Sequence, residues 1–330
     1  MTDKKGIVQF SMTSSRLITI GFSTHRPETL LFAADQMQTH ETILLEEPET
    51  PGFEQMLKGK LSIENYLHET DFEYPEFSRR SCELFQSLYQ NGKHLFQIDP
   101  FITQLNAIHD FFASGGKPHE IESNTPRGIV YNAERDYSAA LLAYYERCLT
   151  APFDEVVKLV KRFAREDAIR NRLRDQMRAE MIIALIPPYK SVYVEAGLLH
   201  LSLLNRLSER LPAEYRIRPV YLMAPIVRQL TSHRQAPGPG DKLTLLYTYR
   251  PEYALPRADR LAAQSLIYTK IIIKEEMIGP ANTFPHTRNE VESSGLVQKL
   301  TYSDCEKLYA LIKNRTTKEA MEIVRVYIDR

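Results

Sequence analysis

Short apolar runs alternate along the chain with longer segments in which apolar residues recur every three or four positions. The short runs are bounded by polar or turn-forming residues, as buried strands are, and the longer segments have the periodicity of helices. This alternation predicts an α/β fold with a central mixed sheet flanked by helices. The predicted strands are at 6–12, 16–21, 42–45, 94–98, 190–195 and 216–223.

The first two predicted strands are joined by the turn-like sequence Thr13-Ser14-Ser15, so they form a predicted hairpin. A hairpin would contribute an antiparallel pair, which is why the predicted sheet is mixed. In the last strand, Pro219 cannot donate a backbone hydrogen bond, which favours an edge position.

The spacing of the strands also predicts how the chain is divided. Residues 1–235 would form an α/β core that carries a large helical insertion at about 50–185. Residues 236–330 would form a helical C-terminal extension packed on the core. The Pro- and Gly-rich sequence QAPGPGD at 235–241 is interpreted as the linker between these two parts.

Composition and charge narrow the class of protein. The 42 basic and 42 acidic side chains give a formal net charge of zero, which argues against nucleic acid as a partner. The charged segment 161–178 alternates bases with acids and is interpreted as a solvated helix face. No stretch is apolar and long enough to span a membrane, and the first six residues do not resemble a signal peptide.

The three cysteines are too few and too widely spaced for a disulfide framework or a metal knuckle. They are Cys82, Cys148 and Cys305. Together with the charge and the missing targeting signals, they predict a cytoplasmic protein with no membrane or nucleic-acid partner. The long helical segments at 133–180 and 257–277 leave a homo-oligomer open.

Candidate chemistry lies just beyond three of the predicted strands. His25 follows 16–21, Glu46 follows 42–45, and His200 follows 190–195. Strand ends that meet at one edge of a sheet can bring these groups together. Two imidazoles and a carboxylate suit either a divalent metal ion that activates water or a metal-free histidine base oriented by the acid. Each group could instead be a polar residue that makes one structural hydrogen bond.

The order of these motifs resembles that of a known superfamily. The relevant sequences are Gly21-Phe22-Ser23-Thr24-His25, then the strand TILLEE, and later Gly197-Leu198-Leu199-His200 after KSVYVE. The chain resembles the TraB/GumN–ChaN–erythromycin esterase-like superfamily, which includes the Tiki proteases, over residues 16–48 and 170–223. Arg174 and Asp175 match its Arg-Asn/Asp helix, and the sequence FQID at 96–99 is similar to a mid-chain strand ending in Asp. The first motif has three residues between glycine and histidine rather than two.

The resemblance implies roles for particular residues. His25, Glu46 and His200 would be the ligands of a divalent metal ion, or a catalytic base with its partners. Arg174 would hold an anionic group or a developing oxyanion, and Glu195 would be a further ligand or a salt-bridged strand-end acid. Glu47, next to Glu46, is the alternative site acid.

The resemblance implies a hydrolase that cleaves a peptide or ester bond in a peptide or small-molecule substrate. Its cofactor would be a divalent metal ion or none. Two alternatives of other classes remain. One is a protein on the same frame that binds haem, a metal or a small molecule without turnover, as ChaN-like relatives imply. The other is a protein-interaction scaffold. The sequence contains no Walker loop, no dinucleotide-binding GxGxxG and no GxSxG nucleophile elbow, which argues against those enzyme classes.

Overall fold

One parallel sheet organises the chain. The structure is a computed structural model that describes residues 16–68, 74–250, 257–280 and 283–329. The strands are β1 (Arg16–Ser23), β2 (Thr42–Leu45), β3 (His94–Gln97), β4 (Ser191–Gly197) and β5 (Tyr215–Tyr221). Their order in the sheet is β3-β2-β4-β1-β5, and every described pair is parallel.

These strands confirm the predicted α/β fold, with small shifts at their ends. Among the described strands, β5 lies at one edge of the sheet, as Pro219 indicated, and pairs with β1. The predicted strand at 6–12 lies outside the described residues, so the hairpin that would make the sheet mixed is untested. The five described strands are all parallel.

Helices fill the connections between the strands and the whole C-terminal part. Those before β4 are α1 (Leu30–Gln38), α2 (Phe53–Leu57), α3 (Ile63–His68), α4 (Pro75–Gln90), α5 (Pro100–Ala113), α6 (Pro126–Arg147) and α7 (Phe153–Leu185). Those after it are α8 (Leu201–Arg210), α9 (Ala224–Leu230), α10 (Pro239–Tyr249), α11 (Arg257–Ile271), α12 (Pro285–Gln298), α13 (Tyr302–Ile312) and α14 (Thr317–Ile328). Short 3₁₀ turns precede α1 at Pro27–Thr29 and α6 at Pro118–Glu120. Within the described ranges, no helix is both long and apolar enough to cross a membrane.

The sheet is covered on both faces, as parallel sheets require. Successive residues of a strand point to opposite faces. Ile43 and Leu45 of β2 therefore pack with α1, α2 and α4, while Leu44 packs with the end of α7 and with α8. Val192 and Val194 of β4 lie on the same face as Leu44.

The 33-residue helix α7 connects the sheet to the C-terminal helices. Its length is about 50 Å at 1.5 Å per residue. Its first half, from Val156 to Ala168, packs into an apolar cluster with α10, α11, α13 and α14, whereas Ala179 and Ile182 pack against the sheet. The polar segment between these two parts lies at the carboxyl edge of the sheet.

That polar segment corrects one sequence interpretation. The charged residues at 161–178 do not all form a solvated face, because Asp175 and Arg178 are fully buried. They face the ends of the strands rather than solvent. The side chain of Arg174 is also largely buried, with 15% of its surface exposed.

The predicted linker at 235–241 also differs from the structure. The QAPGPGD segment is only partly a linker, because Pro239 is the first residue of α10, where a proline loses no helical hydrogen bond. β4 ends at Gly197, two residues beyond the predicted strand, and α8 begins at Leu201. The helix α12 lies within the predicted helical C-terminal part. α12 buries small polar side chains such as Ser293 and Ser294 rather than an apolar stripe.

Candidate functional site

The carboxyl ends of three adjacent strands bring the predicted residues together. Glu46 follows β2 and His200 follows β4, and Glu46 Oε1 lies 3.0 Å from His200 Nε2. Arg174, from α7, reaches the same point, since its Nη2 lies 3.1 Å from Glu46 Oε1. Three of the four predicted site residues are therefore in direct contact.

Asp99 fixes the position of Arg174. This aspartate follows β3 and receives a hydrogen bond at 2.7 Å from Arg174 Nε, and Arg174 Nη2 contacts the same carboxylate oxygen. Its other oxygen accepts from the backbone N–H of Ile102 at 3.1 Å, which caps α5. The third guanidinium nitrogen, Nη1, lies 3.1 Å from His200 Nε2. Asp99 thus caps α5 and also holds a predicted site residue.

The second ring nitrogen of His200 is bound by Asp175 of α7. Its Nδ1 is hydrogen-bonded to Asp175 Oδ1, and Ser202 donates its hydroxyl to the other oxygen of Asp175. Arg178, also on α7, donates hydrogen bonds to the backbone oxygens of Ile98 and Glu195, both at 2.9 Å.

Arg178 was missed as a site residue in the sequence. A signal for it exists in the helical spacing, because residues 174, 175 and 178 share one face of a helix.

Three acids and three bases make up this buried ion cluster, so its formal charges balance. The acids are Glu46, Asp99 and Asp175, and the bases are Arg174, Arg178 and His200. Charges in a protein interior are tolerated only when they are paired and hydrogen-bonded in this way.

The cluster shifts the pKa values of its members. Burial alone would raise the pKa of Glu46, but His200, Arg174 and Arg178 outweigh burial and hold that pKa well below its ordinary value. Burial alone would lower the pKa of His200, but the carboxylates of Glu46 and Asp175 raise it to about 9. His200 is therefore an imidazolium at neutral pH, and both of its nitrogens are donors.

His25 lies outside the ion cluster. Its side chain is 35% exposed, and its Nε2 lies 4.0 Å from Glu195 Oε1. The ring meets Phe77 of α4 edge to face, with 5.8 Å between the ring centroids. The backbone N–H of His25 donates to Ser23 Oγ at 2.9 Å, which holds the tight turn after β1.

The backbone of His25 is strained. Its φ of 51° lies in the left-handed region, which costs a residue with a side chain roughly 1–2 kcal/mol. Such strain persists only where the surrounding structure enforces it, and it concentrates at functional sites. The turn uses this conformation to place the imidazole at the edge of the sheet.

Gly197 leaves a space between the predicted residues. A Cβ atom at this position would lie 3.4 Å from His25 Cε1, 3.4 Å from His200 Cδ2 and 3.7 Å from Glu46 Oε2. His25 therefore faces the ion cluster across a gap about the size of a methyl group. The backbone N–H of Gly197 also donates to Glu46 Oε2, at 2.5 Å.

The glycine of the first motif has a different role. A Cβ atom at Gly21 would lie 2.0 Å from Tyr193 Oη, so no side chain fits there. The tyrosine ring packs under β1 at that point, and Gly21 pairs with Glu195 in the sheet.

Two further acids lie beside the cluster. Glu195 accepts a hydrogen bond from the backbone N–H of Glu46 at 3.2 Å and turns its other oxygen toward His25. Glu47 accepts from Gln97 Nε2 at 3.0 Å, and burial raises the pKa of Glu47 to about 7, with a further contribution from Glu195. Glu46, and not Glu47, is thus the acid that contacts His200.

This arrangement does not fit the predicted metal site of His25, Glu46 and His200. Both nitrogens of His200 already have carboxylate partners, Nε2 with Glu46 and Nδ1 with Asp175. The guanidinium of Arg174 also lies 3.1 Å from both Glu46 Oε1 and His200 Nε2, where a metal ion would have to bind. In the part of the chain that the structure describes, no three His, Cys, Asp or Glu side chains are arranged to hold a metal ion. The positive charge expected from a metal is supplied here by arginine.

The fold and the site together define a parallel α/β protein with a buried ion cluster at the carboxyl ends of its strands. No protein-family model matches the chain, and no solved structure matches it. The chain is similar to an uncharacterized protein of Archaeoglobus fulgidus, with 27% identity over 289 residues. The alignment covers 87% of this chain and 96% of the archaeal protein, so the similarity extends over nearly the whole fold.

Proposed function

We propose that this protein is a hydrolase that cleaves a peptide or ester bond with water activated by His25, without a metal ion. The observation that carries the proposal is the position of His25. It is partly exposed and strained, Glu195 lies on one side of it, and the space above Gly197 lies on the other. Beyond that space are the cationic side chains of His200 and Arg174.

In this proposal His25 is the general base. It takes a proton from a water molecule, whose oxygen attacks the carbonyl carbon of the substrate. Glu195 stabilises the imidazolium that forms, since its carboxylate oxygen lies 4.0 Å from His25 Nε2. The bond from the carbonyl carbon to the leaving oxygen or nitrogen then breaks, and His25 returns the proton to the alcohol or amine. The products are an acid and an alcohol or amine.

The ion cluster supplies the electrostatic part of catalysis. His200 faces His25 across the gap and Arg174 lies beside His200, and these two cations stabilise the oxyanion that develops on the carbonyl oxygen. Arg174 Nη1 is the guanidinium nitrogen that no carboxylate binds in the structure. Glu46, Asp99 and Asp175 are positioning residues that hold these two cations before substrate arrives.

The resemblance described above agrees with this assignment in the order of its motifs, and the proposed chemistry is its metal-free form. Substrates in this proposal are peptides or small esters. We further propose a cytoplasmic location, and the free thiols of Cys82, Cys148 and Cys305 fit a reducing compartment.

A substrate panel tests the proposal. Chromogenic esters and fluorogenic peptides are incubated with the wild-type protein, with His25→Ala, and with His233→Ala as a matched control at an exposed histidine. General-base catalysis contributes about 10²–10⁴-fold, so His25→Ala is expected to reduce turnover by at least about 100-fold, and His233→Ala to leave it unchanged. Binding of a panel compound without turnover would favour the binding-protein alternative. Neither binding nor turnover would favour the scaffold.

A further inference from the structure

A small cavity lies beside the site, next to His25. Thr24 lines it from the turn after β1, Leu198 from the turn after β4, and Gln235 and Glu290 from the C-terminal part of the chain. Its volume is about 30 Å³. One buried water needs roughly 10–15 Å³, so the cavity holds about two water-sized groups. The two oxygens of a carboxylate are of that size.

Polar atoms around this cavity lack hydrogen-bond partners. Thr24 Oγ1 and Gln235 Nε2 are both buried without one. Arg26 Nε and Nη1 are also buried without one. Arg26 lies behind the cavity wall, with its Nε 4.0 Å from Oε1 of the lining residue Glu290. Buried polar groups in folded proteins are nearly always hydrogen-bonded, so several unpartnered atoms in one place require an explanation.

The chemistry of these atoms identifies what is missing. The arginine and amide nitrogens are donors, and the threonine hydroxyl can donate, so the absent group must be an acceptor. A charged acceptor fits best because the guanidinium of Arg26 lies 4.0 Å from Glu290 Oε1 and over the ring of Tyr74, without a close carboxylate hydrogen bond at its Nε or Nη1. Both oxygens of Glu28 accept hydrogen bonds from the first residues of α12. Burial raises the pKa of Glu290 to about 7, so that carboxyl is partly protonated at neutral pH.

We propose that this cavity is a subsite for a carboxylate group of the substrate, held by Arg26, Thr24 and Gln235. The inference rests on the proposed function and narrows its substrate class to esters or peptides that carry a free carboxylate near the scissile bond. The sequence positions of the cavity residues relative to His25 and Gly197 support this placement. Thr24 and Arg26 flank the catalytic His25, and Leu198 follows Gly197, whose missing side chain opens the reaction space.

Acetate binding to the full chain tests the subsite without relying on turnover. Acetate is titrated calorimetrically at constant ionic strength, with acetamide as the neutral compound of the same shape. We expect saturable acetate binding, with acetamide weaker by about tenfold or more because it cannot form a charge-assisted bond with Arg26. Equal binding of acetamide, or no saturable acetate binding, would overturn the proposal and leave the cavity to ordered water.

Two conservative variants localise the binding. Thr24→Val and Gln235→Leu remove buried polar atoms that have no partner, so each variant is expected to fold with an unchanged or higher Tm. Each should also bind acetate about tenfold more weakly, as Arg26→Gln should. Wild-type acetate affinity in all three would overturn the assignment.

The catalytic variant separates this subsite from the proposed function. His25→Ala is expected to bind acetate as the wild type does, because its imidazole makes none of the proposed contacts. If acetate binds as described but no ester or peptide is turned over by the wild type, the hydrolase proposal fails and the subsite stands. If turnover depends on His25 but acetate does not bind, the subsite fails and the hydrolase proposal stands.

Discussion

The charge on His200 makes the stability of the fold depend on pH in a defined window. The folded protein holds this proton with a pKa of about 9, above the ordinary value of 6.5, because the carboxylates of Glu46 and Asp175 outweigh burial. A group with a raised folded pKa stabilises the fold fully below its unfolded pKa. That stabilisation is lost as the pH rises from about 6.5 through about 9.

The size of the effect follows from the shift. One pKa unit corresponds to about 1.4 kcal/mol, so protonated His200 contributes roughly 3 kcal/mol to the free energy of unfolding at low pH. Urea denaturation at pH 6.5, 8 and 9.5 would measure the decline. His200→Gln keeps a hydrogen-bonding side chain but cannot carry the proton, so its decline over this range is expected to be smaller by about that amount. His233→Gln, at an exposed position, controls for the loss of a histidine.

Nuclear magnetic resonance of isotope-labelled imidazoles measures the protonation state of His200 itself. The ring of His200 is expected to remain doubly protonated at pH 8, where exposed histidines are neutral. Parallel stability curves for the wild type and His200→Gln, or a neutral His200 at pH 8, would refute the charge assignment of the ion cluster.

Three further substitutions test the site and its supports. Gly197→Ala places a methyl group at ordinary contact distance from His25, His200 and Glu46. It should change the free energy of unfolding by less than about 1 kcal/mol and reduce turnover about 100-fold. Full turnover in a stopped assay would show that the substrate does not occupy the space above Gly197. Tyr193→Phe removes a buried hydroxyl that has no hydrogen-bond partner, so urea denaturation should show a free energy of unfolding higher by about 1 kcal/mol. A decrease of the same size would show that the hydroxyl does have a stabilising partner. Glu276 accepts hydrogen bonds at 2.8 and 2.9 Å from the first N–H groups of α4, and Glu276→Gln removes the negative charge from this cap. The free energy of unfolding should fall by about 1 kcal/mol. An unchanged denaturation midpoint would show that this cap is not needed.

Most of the sheet and the centre of the site could be predicted because they depend on local patterns. The run TILL is apolar throughout, and β2 occupies the same four residues, since a strand buried on both faces needs no polar alternation. Glu46 directly follows β2 and His200 lies three residues after the end of β4, so both could be placed at one edge of the sheet, where parallel strands end. The order of the motifs added Arg174, which the residue pattern alone would have placed on a solvated helix.

The burial of charge could not be predicted from local patterns. Asp175 and Arg178 have the same alternating sequence context as exposed residues of α7, and only the approach of the sheet edge buries them. The contacts of Arg174 with Glu46 and His200 could not be predicted for the same reason. The sequence shows two histidines and an acid that suit a metal, but not that the arginine of a distant helix contacts both the acid and one histidine.

The position of α12 is a second feature that local sequence patterns could not predict. In α12 the buried side chains include His286, Thr287, Ser293 and Ser294, so no apolar stripe announces the helix. Its N-terminus is bound by Glu28, which lies 258 positions away from His286 in the sequence. Contacts of that range are set by the tertiary fold, and the residues at either end carry no local sign of them.

The central claim, metal-free hydrolysis by His25, is tested most directly by the turnover of metal-stripped protein. The protein is dialysed against a chelator, checked by elemental analysis, and assayed with the best substrate of the panel, alongside His25→Ala. We expect full turnover without metal and at least about 100-fold less for His25→Ala. Loss of turnover on stripping, with recovery on adding a divalent metal ion, would contradict it, as would wild-type turnover by His25→Ala.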